Sequence, residues 1–317
     1  MGAAHPRVAI ALGDPAGVGP EIALKAALDP RVRRICHPVL YGDRAVLEEQ
    51  ASRCGIEWSK DAVELVALKH FAGERLEIGQ VRAAHGRAAV DAARTAVKAA
   101  LDGDVDAVVA APHTELAIKQ AGIEFDGYPS FVARCTGIAP EDAFLMICFD
   151  ATRIVHATLH LSLRRAIELV TPQRLGRVLR STHDTLERLG VKKPRIAVSG
   201  LNPHAGESGM FGSEEIEIIG PAIEAARRDG IAADGPYGAD IMFHRSGYDA
   251  FLVMFHDQGH IAAKLQAPNR AAGMTIGTPV LFSSVAHGSA LDIAGQGRAS
   301  PDALVEAIRR VIGARAL

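Results

Sequence analysis

The chain has 317 residues, of which 48% are hydrophobic and 23% are charged, and its formal net charge at pH 7 is −2. This composition is typical of a globular enzyme and excludes disordered and collagen-like classes, while the length favours a large two-lobed protein. The small net charge gives no electrostatic reason to expect nucleic acid or an anionic membrane as a partner, so we expect a small-molecule substrate.

Short apolar runs alternate with helical patterns along the chain, which is typical of α/β architecture. The predicted strands are, in chain order, Arg7–Leu12, His37–Tyr41, Ala107–Ala111, Ile154–Leu159, Arg195–Gly200, Ala250–Phe255 and Val280–Val285. The predicted helices are Val90–Leu101 and Arg174–Leu189. Polar residues follow the C-terminal ends of the strands, and this edge carries the ligands in open parallel sheets.

The N-terminal residues, Met1 to Arg7, lack the basic start, apolar middle and cleavage site of a signal peptide, and no apolar run approaches about 18 residues. The cysteines are scattered without a Cys-x-x-Cys pair, which predicts neither a disulfide framework nor a thiolate zinc site. We therefore expect a cytoplasmic protein with reduced cysteines.

Three predicted strands lead to a histidine, at His160, His204 and His256. Imidazole suits zinc and similar divalent ions, and three protein ligands with one open position are typical of a catalytic metal site. A lone histidine is more often a hydrogen-bonded core or surface residue, so the hypothesis depends on the three together.

Asp257 and Lys264 are the candidates for proton transfer or substrate orientation. Two alternatives stay open: Asp257 is a hydrogen-bond partner of a ligand histidine, or Lys264 is an ordinary surface lysine. His156 and His260 lie close to the ligand candidates in sequence, but their spacing predicts that they face elsewhere.

Two glycine-rich loops are candidates for binding a ligand. The segment from Gly13 to Glu21 follows the first strand, with the spacing G-x-x-x-G-x-G rather than the dinucleotide fingerprint G-x-G-x-x-G. The segment from His287 to Ala299 is rich in glycine and polar residues, which suits a backbone wrapped around a flat ligand.

Several of these segments together resemble the 4-hydroxythreonine-4-phosphate dehydrogenase family. The segments are Gly13–Glu21, Asn202–Glu207, Gly235–Tyr237, His256–Gly259 and His287–Gly297. The resemblance implies a two-domain α/β/α fold like that of isocitrate and isopropylmalate dehydrogenases, without the Rossmann mode of cofactor binding. It also implies a homodimer with the active site at the subunit interface, NAD as oxidant, and a divalent metal, zinc first among the candidates, on His160, His204 and His256.

The same resemblance implies that one domain binds the cofactor and the other carries the metal ligands. We expect residues 1–118 and 283–317 to form the cofactor-side domain, and residues 119–282 to carry the metal ligands and the dimer interface. The expected cofactor contacts are Gly13, Asp14, His287, Gly288, Ser289, Ala290, Asp292 and Gly295. In the reaction that the family implies, a hydroxyl becomes a ketone before a neighbouring carboxylate leaves as carbon dioxide.

The chain departs from the phosphate-binding pattern of that family. Phe282 stands where an arginine is expected, Gly273 where an asparagine is expected, and Glu115 replaces a lysine. The family's Gly-His-Thr-Glu segment is Gly127–Ser130 here. Arginine suits bidentate phosphate recognition and phenylalanine offers only an apolar face, so the substitutions predict a different substrate.

The chain is similar along its whole length to a branch of the same superfamily, the terephthalate cis-dihydrodiol dehydrogenases. The similar segments are Pro112–His113, Ala121–Ile123, Gly127–Ser130, Gly238–Asp240, His256–Ile261, Ala267–Asn269 and Ser283–Val285. That branch implies NAD-linked oxidation and decarboxylation of 1,2-dihydroxy-3,5-cyclohexadiene-1,4-dicarboxylate to protocatechuate. The expected substrate contacts are Tyr128, Ser130, Lys264 and Phe282, whose aromatic members suit a flat unsaturated ring.

Two alternative functions stay open. A dehydrogenase for a sugar-acid or threonine-derived phosphate is disfavoured by Phe282 and Gly273. A metal- or nucleotide-binding protein without catalysis is disfavoured by the three histidines together with Asp257.

Overall fold

The structure is a computed structural model that describes residues 5–59, 61–71, 76–267 and 271–313. The chain divides into two compact units. The first contains the residues up to Pro140, Ala272–Met274 and the residues from Thr278 onward, and the second contains Glu141–Ala271 and Thr275–Gly277. None of the helices in these ranges combines the length and apolar character that a membrane-spanning helix needs.

Strands and helices alternate along most of the chain. The strands are β1 (Arg7–Ala11), β2 (His37–Asp43), β3 (Glu64–Leu68), β4 (Ala107–Ala110), β5 (Phe144–Phe149), β6 (Thr152–His156), β7 (Arg195–Ser199), β8 (Ala232–Tyr237), β9 (Ala250–Val253), β10 (Ala272–Ile276) and β11 (Phe282–Val285). The helices are α1 (Gly19–Leu28), α2 (Pro30–Arg33), α3 (Arg44–Cys54), α4 (Ala83–Asp102), α5 (Glu115–Gln120), α6 (Tyr128–Thr136), α7 (Leu163–Leu169), α8 (Pro172–Arg188), α9 (Gly220–Arg228), α10 (His256–Gln266) and α11 (Asp302–Ile312).

The first unit contains parallel strands in the order β3-β2-β1-β4-β11. Ala9 and Ala11 of β1 face the alanine-rich helix α4, in one buried cluster with Val108 of β4. The intervening Ile10 points to the opposite face and is also fully buried, because successive strand residues alternate in direction. Burial on both faces explains why these strands are continuous apolar runs in the sequence.

The second unit has the strand order β5-β6-β9-β7-β8. β5 and β6 form an antiparallel pair, whereas β6, β9, β7 and β8 run parallel to one another. The parallel strands therefore end at the same edge, where Thr158, Gly200 and Met254 follow β6, β7 and β9. The amphipathic helix α8 packs on β6 and β7.

The boundary between the units lies at Pro140, later than the expected boundary at residue 118. Helices α5 and α6 both pack on α4. Phe131 and Val132 of α6 share a buried apolar cluster with Val90 and Val97 of α4, which attaches this segment to the first unit.

The predicted α/β class is confirmed, and the predicted helices overlap α4 and α8. Strands β3, β5, β8 and β10 were not predicted from the sequence. β3 contains only exposed and half-buried residues, and β8 contains Gly235 and Pro236, so neither strand forms a buried apolar run. β5 is apolar but belongs to an antiparallel pair rather than to the predicted alternation of strands and helices.

The contact between α4 and α5 should tolerate no side chain at Gly86. A Cβ there would lie 2.2 Å from the backbone carbonyl of Ala117, so Gly86→Ala should lower the free energy of unfolding by about 1–3 kcal/mol through overpacking. The control is Gly176→Ala in α8, where nothing lies within 4 Å of the added carbon, and which should raise stability by about 0.5–1 kcal/mol. Urea denaturation of both variants measures the difference, and a neutral Gly86→Ala would contradict the packing.

Candidate functional site

His160 and His256 come together because the parallel strands before them continue to pair beyond their ends. The Thr158 backbone N–H and its hydroxyl both donate to the Met254 carbonyl, at 3.2 and 2.8 Å. Two residues further along each segment, the rings of His160 and His256 lie with their centroids 5.6 Å apart. Both histidines line a cavity of about 440 Å³, within the range of small-molecule sites.

Asp257 contacts one of these histidines directly. Its Oδ1 lies 2.7 Å from Nδ1 of His256. The carboxylate accepts a hydrogen bond from the N–H at this position, which leaves the lone pair on Nε2 of His256. The contact favours Asp257 as a residue that orients a ligand histidine, while its exposed carboxylate also leaves a role in proton transfer open.

Lys264 lies on the same helix, α10, eight residues after His256. The spacing places His256, His260 and Lys264 on one face. The Lys264 side chain is exposed. Burial is the main cause that lowers the pKa of His260, the charge of His256 is the next, and the positive charge of Lys264 adds a smaller contribution. Lys264 is thus close to the histidine cluster and available to a ligand.

The expectation that His156 and His260 face elsewhere is wrong. The ring of His260 stacks on that of His256, with centroids 3.7 Å apart and planes within 10°. Nδ1 of His260 lies 3.1 Å from Nε2 of the buried His156. Burial lowers the pKa of His156 to about 3 and that of His260 to about 4, so both rings are neutral at pH 7.

His204 lies on a strained turn after β7. Residues 204–208 all have positive φ, although only Gly206 among them is a glycine. The buried carboxylate of Glu215 holds the start of this turn by accepting hydrogen bonds from the backbone N–H groups of Leu201 and Asn202, both at 2.7 Å. Burial alone would raise the pKa of Glu215, but the hydrogen bonds outweigh it and lower the pKa below its usual value.

Within a single chain, the described residues do not bring His160, His204 and His256 together around one point. Within residues 5–59, 61–71, 76–267 and 271–313, no three His, Cys, Asp or Glu side chains are arranged to hold one metal ion. The structure pairs His160 with His256, whereas the His204 ring lies near Phe211, with centroids 6.1 Å apart.

Gln258 connects the two strand ends that lead to His204 and His256. Its side-chain carbonyl accepts from the Met254 N–H at 2.8 Å, and its amide donates to the Gly200 carbonyl at 3.1 Å. Gln258 and Glu215 carry no recognisable signal in the sequence, because both act through backbone groups that only the folded structure brings close.

In the first unit, three loops meet at the C-terminal ends of β1, β4 and β11. The Asp14 N–H donates to the Pro112 carbonyl at 2.9 Å, and the hydroxyl of Thr114 donates to that of Ser289 at 2.9 Å. A Cβ at Gly13 would lie 2.2 Å from the Pro112 carbonyl oxygen, so this close approach requires glycine. The loops that contain the expected cofactor contacts therefore form one connected edge.

The expected cofactor residues differ in their availability to a ligand. Asp14 and Ser289 are buried, and Asp14 accepts a hydrogen bond from the Ala16 N–H through Oδ1. Gly288 and Asp292 are exposed, and a Cβ at Gly288 would meet open space. His287, Ala290 and Gly295 are half-buried in the same loop. The exposed residues can contact a cofactor directly, whereas the buried ones shape the loop.

An aromatic cluster lies beside this edge, and the expected substrate residue Tyr128 is at its centre. The ring of Tyr128 packs on Phe282 at 4.8 Å, on His113 at 4.9 Å and on Phe125 at 5.4 Å between centroids. Burial lowers the pKa of His113 to about 4 and raises that of the Tyr128 hydroxyl. The cluster is therefore uncharged at neutral pH.

The prediction that Phe282 contacts the substrate directly needs a correction. Its side chain is fully buried, with 0% exposed, so it supports Tyr128 from below and does not reach a ligand itself. Ser130 is half-buried in the first turn of α6, beside Tyr128. The segment Pro268–Asn269, part of the resemblance noted above, lies outside the described residues.

A sequence profile of the family described as "Pyridoxal phosphate biosynthetic protein PdxA" matches residues 34–311. A Comamonas protein named 1,2-dihydroxy-3,5-cyclohexadiene-1,4-dicarboxylate dehydrogenase is 43% identical over 305 residues, which cover 96% of each chain. Both findings agree with the resemblance noted in the sequence.

Solved structures extend the comparison. A terephthalate 1,2-cis-dihydrodiol dehydrogenase from Burkholderia xenovorans is 40% identical, with a TM-score of 0.76 and coverage of 97% of this chain and 98% of that one. A 4-hydroxythreonine-4-phosphate dehydrogenase from Klebsiella pneumoniae is 32% identical, with a TM-score of 0.86 and coverage of 98% and 100%. The chain is similar to dehydrogenases of both names.

The depressed pKa of His113 predicts a loss of stability in acid. Its pKa falls from 6.5 to about 4 on folding, so between these values the unfolded chain binds a proton that the folded chain does not. Stability from this group is complete above pH 6.5, and about 2 kcal/mol of it is lost between pH 7 and pH 5. His113→Phe should reduce the pH dependence by that amount, measured by urea unfolding at pH 7, 6 and 5. An equal loss in both proteins would contradict the burial of a neutral His113.

Proposed function

We propose, since the chain belongs to the PdxA family and is similar throughout to dehydrogenases, that it oxidises and decarboxylates a cyclic cis-dihydrodiol carboxylate. The proposed substrate is 1,2-dihydroxy-3,5-cyclohexadiene-1,4-dicarboxylate. Oxidation of one hydroxyl sends a hydride to NAD⁺ and releases a proton. The neighbouring carboxylate then leaves as CO₂, and the electron pair of the broken carbon–carbon bond forms an enolate that takes up a proton. Rearomatisation of the ring then gives protocatechuate.

The observation that carries this proposal is the aromatic cluster around Tyr128. Phe282, at the position where an arginine would clamp phosphate, is buried beneath the Tyr128 ring. A flat unsaturated ring gains favourable packing against aromatic groups. A phosphate dianion against the same apolar face would lose its hydration without a paired charge.

The donors in the second unit fit a divalent metal in part. Neutral imidazole suits zinc, and two imidazoles on one tetrahedral ion have ring centres roughly 5 Å apart, close to the 5.6 Å between His160 and His256. When bound, the ion supplies Lewis acidity to the diol oxygens and to the new carbonyl. Asp257 orients the His256 ring, and Lys264 is placed to hold a substrate carboxylate or to move a proton.

NAD is the proposed oxidant, and the first unit carries the candidate residues for it. Gly288 and Asp292 are exposed on the loop after β11, which is tied to the loops after β1 and β4. An open glycine lets a flat ligand approach the backbone closely.

The third metal donor is proposed to come from a second copy of the chain. Large apolar side chains are exposed near each candidate ligand: Leu161 and Leu163 after His160, Phe211 after His204, and Ile261 and Leu265 after His256. Such surfaces typically mark protein interfaces. A symmetric homodimer would cover them and bring a His204 to the pair formed by His160 and His256.

The test of the proposed reaction is a screen for NADH formation with purified protein. The terephthalate dihydrodiol and 4-hydroxythreonine 4-phosphate are offered side by side, each with added Zn²⁺, Mn²⁺ or Co²⁺ and each after chelation. We expect turnover of the diol with release of CO₂, loss of activity on chelation, and at most marginal turnover of the phosphate. Comparable or better oxidation of the phosphate would show that the substitutions at Phe282 and Gly273 have been misread.

Mixed dimers test the shared metal site. A 1:1 mixture of His160→Ala and His204→Ala chains, dissociated and reassembled, should recover about one quarter of wild-type activity, because half of the dimers are mixed and each has one intact site. The matched control is a mixture of His160→Ala and His256→Ala chains. It should stay inactive, because these two ligands lie in the same chain. Equal behaviour of the two mixtures would refute the proposed division of ligands.

A further inference from the structure

We propose that His260, held from behind by His156, is a positioning residue that fixes the imidazole of His256. This inference rests on the function proposed above, in which His256 binds the metal through Nε2.

Two contacts fix the His256 ring in different directions. The ring of His260 stacks on it at 3.7 Å with a 10° angle between planes, which sets the tilt of the His256 plane. The carboxylate of Asp257 lies 2.7 Å from Nδ1, which sets the rotation of the ring within that plane. Stacking from a residue four positions later is possible because α10 begins at His256 and both residues share a helix face.

His156 fixes His260 in turn, and the hydrogen bonds determine the tautomers. Nδ1 of His156 lies 3.4 Å from the Leu145 carbonyl, which can only accept, so this nitrogen carries the proton. Nε2 of His156 is then an acceptor, and the Nδ1–H of His260 donates to it at 3.1 Å, with the His256 backbone carbonyl as a second acceptor at 3.3 Å. The series ends at the Leu145 backbone carbonyl, which can accept a hydrogen bond but cannot pass a proton on, so it acts as an anchor rather than as a path for protons.

The packing between β6 and α10 is adapted to this anchor. A Cβ at Gly259 would lie 2.4 Å from Nε2 of His156 and 2.9 Å from Cγ2 of Ile154, so glycine lets the helix approach the strand. A leucine at position 156 would fill an apolar core without the desolvation that a buried imidazole requires. The polar pair is therefore better explained by the orientation of His260 than by core packing.

The consequence concerns metal affinity. A ligand whose ring is already oriented loses less conformational freedom when it binds, and removal of supporting groups around a metal ligand typically weakens binding by about 10–100-fold. His260 touches the ligand, and His156 acts through His260. The loss should therefore be larger for His260→Leu than for His156→Leu.

The experiment measures Co²⁺ binding to metal-free protein by competition with a chromophoric chelator, together with the visible spectrum of bound Co²⁺. His260→Leu and His156→Leu should weaken Co²⁺ binding by about 10–100-fold and alter the spectrum. His260→Phe, which restores a flat ring, should recover part of the affinity. Gln266→Ala, an exposed change on the same helix, is the control and should bind as wild type does. Wild-type affinity and spectrum in both leucine variants would overturn the proposal.

A measurement on metal-free protein separates this inference from the proposed function. Carbon-13 relaxation of the His256 ring, in protein labelled at histidine, should show greater ring mobility in His260→Leu than in wild type. If the wild-type protein binds no Co²⁺, the proposed metal function fails, and the relaxation result alone decides the positioning role. Unchanged ring mobility in His260→Leu would then overturn it.

Discussion

A parallel strand that is buried on both faces can present polar groups only beyond its ends, and the arrangement of this molecule depends on that constraint. In the second unit, the pairing of β6 with β9 continues through Thr158 and Met254 and brings His160 to His256. In the first unit, the same constraint brings the loops after β1, β4 and β11 to one edge. Each unit thus gathers one set of candidate residues without any long polar segment in its core.

The sequence was sufficient to predict those features that depend on strand ends. Strands β1, β6, β7, β9 and β11 overlap predicted strands, and the residues that follow them include the candidate ligands and cofactor contacts. The role of His260 was not predictable in the same way. Its stacking requires a helix that starts at His256, and no helix was predicted there from the sequence. The complete burial of Phe282 was likewise not predictable, because the sequence pattern of a strand does not show which helix covers each face of the sheet.

The His204 turn shows how one buried carboxylate can hold a strained backbone. Four residues other than glycine adopt left-handed conformations there, at a cost of about 1–2 kcal/mol each. Glu215 accepts hydrogen bonds from two backbone N–H groups and from the Asn202 side chain. Hydrogen bonds to a charged group contribute about 1.5–3 kcal/mol each, so the two effects are of similar size. The turn persists because its strain is offset locally, and its conformation depends on the ionised state of one side chain.

The discontinuity of the first unit has a consequence for the order of folding. β11 pairs with β4, and Lys25 of α1 donates to the carbonyl groups of Gly297 and Ala299, at 2.9 and 2.8 Å. On a ribosome, all of the second unit is synthesised before these partners exist. During that interval the apolar strand Ala107–Ala110 has one unpaired edge, the kind of surface on which nascent chains associate. The residues from Thr278 onward therefore close this edge, and the first unit stays incomplete until they are synthesised.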